Sequence, residues 1–169
     1  ALARRNDVYT RFVGFRENFQ FGAGVDIFAA DFGVTGMGGL EAFVKAAEEN
    51  GTYVIPETVA RIESSAFQFF PGTSIIIPDS VTEIGARAFA NCHKLTDITI
   101  PDSVTSIGER AFLWCFSLST VTIPNSVTTI GKRAFSGCGV QTVIISDGVT
   151  SIGEEAFLDC ESLEEIVIG

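Results

Sequence analysis

Cysteine recurs at Cys92, Cys115, Cys138 and Cys160, and the only histidine in the chain, His93, follows the first of them. Thiolates and an imidazole are the raw material of zinc sites, nucleophilic pairs and disulfides. Their spacing argues against the first two. One cysteine per repeat lays the thiols out in a line, whereas a metal needs ligands that converge as a tetrahedron. Cys92 and His93 are sequence neighbours whose side chains leave opposite sides of the backbone, so they do not form a nucleophile and its base. What remains is a column of free thiols behaving as small buried hydrophobes, or bridges between neighbours if their Cα atoms stack within bonding range. The glycine runs at 22–24 and 36–39 lack the Lys-Ser/Thr pair or helix opening of a phosphate cradle. The chain is therefore expected to hold no catalytic residues, no metal and no cofactor.

The elements that position these cysteines form a repeat. An Ala-Phe pair appears at Ala66-Phe67, Ala88-Phe89, Ala111-Phe112, Ala134-Phe135 and Ala156-Phe157, so successive phenylalanines lie 22, 23, 23 and 22 residues apart. A period in the low twenties with a fixed apolar skeleton marks a solenoid in which each repeat forms one coil. Its strand slots are Tyr53, Ile75, Ile98, Val121, Val143 and Ile166, then, two places on, Ile55, Ile77, Ile100, Ile123, Ile145 and Ile168. Residues two apart on a strand share a face, so both columns point inward and Val54, Ile76, Thr99, Thr122, Ile144 and Val167 point outward. Six such strands stacked at roughly 4.8 Å would make one parallel sheet about 24 Å wide. Pro56, Pro78, Pro101 and Pro124 end the strands by removing a ladder donor. Glycine at 85, 108, 131 and 153 suggests a backbone angle closed to other residues. The segment Glu109-Arg110-Ala111-Phe112 has the composition of a short helical turn, and the five Phe rings should form the spine of the coils.

The pattern I(T/I)IP(D/N)SVTxIGxxAFxxCxxL resembles the BspA-like class of leucine-rich repeats, found in bacterial surface antigens and in protists. It runs from residue 53 to 168, with local departures: Phe70 stands in a cysteine slot, Gly72 near a leucine slot, and Ser146 in place of a proline. The resemblance implies a solenoid with a short parallel sheet on one face and turns or short helical turns on the other. It also implies adhesion to host or matrix proteins, or to other cells, at a cell surface.

Outside the repeats the chain reads as two further pieces. Residues 1–37 form a Phe- and Gly-rich arm whose Phe12, Phe15, Phe19 and Phe21 must bury against the first coil or another protein. Over 38–51, Leu40, Phe43, Val44 and Ala47 fall on one helical face, which predicts a helix capping the open first coil. Residues 52–169 hold five coils and a final strand. A coil that stops on a strand calls for cover, from more repeats or from another chain.

Charge narrows the partners. With Lys+Arg 11 against Asp+Glu 21, the formal charge is −10, which removes the phosphate attraction that nucleic-acid binding depends on. Phe21 to Leu40 is broken by Asp26 and Asp31 and by repeated glycines, so no transmembrane segment is read. Protein partners are left. Two surfaces are candidates: the outward sheet face of Ile76, Thr99, Thr122 and Ile144, and an aromatic edge of Phe69, Phe70, Trp114 and Phe116. The edge slots hold Asn91, Gly137, Asp159, Lys94 or Ser117 in sister repeats, and aromatics where sisters are polar point to a hot spot. The function expected is protein recognition without catalysis at a cell surface or in secretion. The rival is a scaffold subunit of a larger, organellar or membrane-associated assembly docked through the Phe-rich arm.

Overall fold

The computed structural model describes residues 51–169. The arm at 1–37, with Phe12, Phe15, Phe19 and Phe21, and the helix expected over Leu40–Asn50 lie outside the described residues. Among those described the chain winds through β1 (Thr52–Val54), β2 (Arg61–Ile62), β3 (Ser74–Ile76), β4 (Glu83–Ile84), β5 (Asp97–Thr99) and β6 (Ser106–Ile107), then β7 (Thr120–Ile123), β8 (Thr129–Ile130), β9 (Thr142–Ile145), β10 (Ser151–Ile152) and β11 (Glu165–Ile168). Every ladder is parallel and in register, pairing each residue with its counterpart one repeat away, as in Tyr53↔Ile75 and Ile75↔Ile98.

The coil wall differs from expectation in three respects. First, the long strands do not make one sheet: β1-β3-β5 and β7-β9-β11 are separate three-stranded sheets, with no ladder between β5 and β7. Second, the residues past the proline corner form a sheet of their own, β2-β4-β6-β8-β10, which runs unbroken across that same boundary. Strands of two residues each carry too little pattern to be read from sequence alone.

Third, the Ala-Phe segments are not helical, and no helix occurs among the described residues. Each is a chain of turns containing two left-handed residues, such as Arg87 (φ 55°) with Asn91 (φ 62°), or Arg110 (φ 55°) with Trp114 (φ 60°). A left-handed residue swings the peptide plane round, so alternate amides face opposite ways. In the first coil the amides of Ser65, Phe67 and Phe69 donate to Ala86, Ala88 and Ala90 of the next coil, while those of Ala66, Gln68 and Phe70 fold back three residues. A helix would satisfy every amide internally. Here half of them tie coil to coil, which is what a stack of coils requires.

Side chains extend this tying. The Oγ1 of Thr105 donates to Thr82 O at 3.1 Å and that of Thr128 to Thr105 O at 3.2 Å, giving a ladder of hydroxyls outside the backbone one. Inside, the rings of Phe67, Phe89, Phe112, Phe135 and Phe157 stack in file, 5.4, 5.1, 5.0 and 5.5 Å apart and nearly parallel. At the first coil Tyr53 tilts against Phe67 and Phe70. At the last, nothing among the described residues stacks beyond β11, and Ile152, Ile166 and Ile168, whose counterparts are buried in inner coils, are exposed.

The glycine column has a different cause from the one its residue type suggests. Gly85, Gly108, Gly131 and Gly153 do not adopt positive φ. A Cβ on Gly131 would instead lie 2.5 Å from Gly108 C and 2.6 Å from Glu109 N, so the column sets how closely successive coils approach. Gly131→Ala must force two backbones apart and is expected to lower stability by about 1–3 kcal/mol. A urea midpoint equal to the parent's would show that the coil spacing is not held there.

Candidate functional site

The aromatic edge is built by the turn chain. Trp114 and Phe69 occupy the second left-handed position of their coils, at φ 60° and 63°. Sister coils fill that position with Asn91, Gly137 and Asp159, residues that tolerate it. For a bulky side chain the conformation costs on the order of 1–3 kcal/mol. Trp114 is 48% exposed and Phe116 57%, and the Trp114 ring lies over Gly137, where the absent Cβ leaves room for it. Phe116 packs against His93 with ring centroids 5.0 Å apart. Phe69 is 37% exposed. Phe70 does not belong to this edge: at 2% exposure it fills the interior slot that cysteine holds in later coils. The alternation of turn amides explains this, since adjacent residues 69 and 70 face opposite ways.

The outward sheet residues fall where the strand period puts them. Ile76 and Ile144 are exposed on β3 and β9, and Thr99 and Thr122 on β5 and β7. Because β5 and β7 do not pair with each other, Thr99 and Thr122 flank a groove of about 700 Å³ that also takes in Asp97, Asp102, Asn125 and Ser126. Equivalent serines in earlier coils donate to the preceding coil, Ser80 to Val59 O at 2.8 Å and Ser103 to Val81 O at 2.6 Å. Ser126 Oγ is buried and makes no such bond. The parting of the strands therefore reaches the corner as well. Sequence reading passed over Asp102, although an acidic corner residue recurs as Glu57, Asp79, Asp102 and Asp147.

The thiols form the expected interior line. Each donates to the carbonyl of the preceding coil's ring residue, Cys92 to Phe67, Cys115 to Phe89, Cys138 to Phe112 and Cys160 to Phe135, at 3.0 to 3.2 Å. All four are free. The Cys138 thiol is pushed well up by its hydrogen bond with Cys115 and by burial. Cys115 is drawn down by Cys138, but Cys92 and burial outweigh this and its net direction is upward. Burial raises Cys160 to about 11. Thiols held protonated are neither nucleophiles nor ready metal ligands, and among the described residues no group of three or more metal-ligating side chains converges.

The sign of the pH dependence follows. An unfolded thiol ionises near about 8.5, so above that pH the unfolded chain sheds a proton that Cys160 retains when folded. Stability is full below about pH 8.5 and falls as pH climbs towards about 11. The urea midpoint should drop across that window, and Cys160→Ala should reduce the drop, leaving the part that the raised thiols of Cys115 and Cys138 contribute. Four thiols should react with a thiol reagent once the chain is unfolded without reductant; fewer would reveal a bridge.

The comparisons agree with this geometry. A model of the BspA type leucine rich repeat region matches residues 40–168 in 6 copies. Comparison with curated proteins gives no match. Among solved structures, a leucine-rich repeat protein from Bacteroides ovatus is 42% identical with a TM-score of 0.66, over 69% of this chain and 33% of its own length. A leucine rich cell surface protein from Faecalibacterium prausnitzii is 39% identical with a TM-score of 0.68, over 70% and 32%. The pneumococcal vaccine antigen PcpA is 25% identical with a TM-score of 0.61, over 70% and 30%. The chain thus spans about a third of the length of these three structures. Six family repeats, a parallel ladder in register and a file of stacked rings make one conclusion: the chain belongs to the BspA-type leucine-rich repeat family.

Proposed function

We propose that the chain is a protein-recognition module without catalytic activity, displayed at a cell surface, and that it grips its partner by the edge carrying Trp114 and Phe116. The observation that carries this reading is Trp114 itself. A half-exposed indole sits in a left-handed turn position that three sister coils give to Asn, Gly or Asp. Strain of this kind persists where function uses it, and tryptophan is among the residues that most often dominate binding energy. Phe116 and Phe69 extend the apolar contact, with Ile76 and Ile144 on the adjoining sheets. A filled interior supports the absence of catalysis, because the coils enclose core side chains and leave no enclosed polar cleft among the described residues. Surface display is supported by similarity to a structure described as a cell surface protein and to one described as a vaccine antigen. The rival reading of a scaffold subunit rests on the arm, outside the described residues.

Affinity capture from the native source, followed by binding measurements with the captured protein, tests the reading. Trp114→Ala and Phe116→Ala should each weaken binding by about tenfold or more while the circular dichroism spectrum stays that of the parent. Unchanged affinity in both would end the proposal. Trp114→Asn, which suits the turn, should fold with a urea midpoint at or above the parent's and still lose the partner, separating strain kept for binding from strain of no use.

A further inference from the structure

The parting between β5 and β7 is confined to one wall of one coil boundary. Across that boundary β6 and β8 remain paired, and the rings of Phe112 and Phe135 remain stacked at 5.0 Å. On the parted wall two kinds of polar group lose their partners together: the main-chain groups that β5 and β7 would have shared, and the hydroxyl of Ser126. Buried or half-buried polar groups without partners cost stability unless something satisfies them. The groove between the strands also carries the Asp97 and Asp102 carboxylates. Neither is among the ion-paired side chains of the described residues, whose acidic members are Glu83, Glu109, Glu154 and Glu155. Asn125, by contrast, is engaged, accepting from the Gly148 amide at 3.3 Å.

The free side chains thus offer acceptors, two carboxylates and a hydroxyl, on a wall whose neighbouring corners, Asp79 and Asp147, are also acidic, and the parted strand edges add carbonyls together with amides that the backbone of an extended segment can meet. We infer that this seam is a binding site for basic side chains, lysine or arginine, presented by an extended segment of a partner protein lying across the two sheets. A guanidinium or ammonium group brings several donors and a positive charge, which matches two carboxylates, a hydroxyl and unpaired carbonyls at once. An extended segment projects every second side chain to one side, so it can place a basic group in the seam while its alternate residues face away. The chain's net charge of −10 steers such a partner to it. The site lies on other elements than Trp114 and deepens the recognition reading by naming the partner's chemistry.

The test uses amide chemical shifts of the full chain titrated with a short peptide of alternating threonine and lysine. Its glutamate counterpart, ethylguanidinium and calcium chloride serve as separate arms. The lysine peptide should shift the amides of Asp97–Ile100 and Thr120–Ile123, weaken with added salt, and bind about tenfold less tightly to D97N/D102N, or several-fold less to D97N alone. Trp114→Ala should not alter it. The proposal is overturned if those amides do not move, if shifts centre on Glu161–Glu165 instead, if the glutamate peptide binds equally, or if calcium alone saturates the same amides at lower concentration. Equal binding of free ethylguanidinium would equally remove the extended segment from the account. Seam binding that persists while Trp114 proves dispensable for capture sinks only the aromatic-edge reading. The reverse pattern sinks only this one.

Discussion

The stacked phenylalanines are the interaction to which the rest of the architecture answers. Rings piled nearly parallel at 5.0 to 5.5 Å demand that every coil repeat its neighbour's path at that pitch. A parallel β-ladder has about that pitch of its own, near 4.8 Å, so backbone pairing and ring stacking ask for the same spacing. The glycine column allows the backbones to come that close, and the left-handed turn residues aim the amides that hold them there. No single coil could bury its ring alone. Stability is therefore a property of neighbouring pairs of coils, as nearest-neighbour models of repeat proteins describe.

Much of this was legible in the sequence because one slot was copied five times. The repetition of Ala-Phe, of Val followed by Ile, and of cysteine identified inward columns with no appeal to propensity, and Phe89, Phe112 and Phe135 are all fully buried. Repetition also concealed things. Gly131 looked like a conformational requirement, yet its role is proximity, which only the position of the next coil reveals. The Glu-Arg-Ala-Phe segment favours helix by composition, and tertiary pairing overrode that weak preference. The signal that could have exposed it was the column Asn91, Gly137 and Asp159, three residues at home in left-handed turns. Phe70 was placed at the surface because Phe69 was, although neighbours in such a turn chain face opposite ways.

The seam was illegible for a different reason. Ile75, Ile98 and Val121 are evenly spaced in sequence, and nothing in their columns marks the third boundary as different from the second. Pairing between strands depends on small displacements of whole coils, which residue types do not encode one by one. The same copying that made the fold readable leaves functional sites visible only as departures from the pattern, as with Trp114 among Asn, Gly and Asp.

A rod notched on one side bends about the side left intact. The uninterrupted short-strand sheet and the ring file supply that intact side, so flexing of the array concentrates at one boundary instead of spreading over all. The coils to either side would then move as two stiff arms. A ligand lodged in the notch would act as a wedge that fixes their angle, making the curvature of the array depend on occupancy.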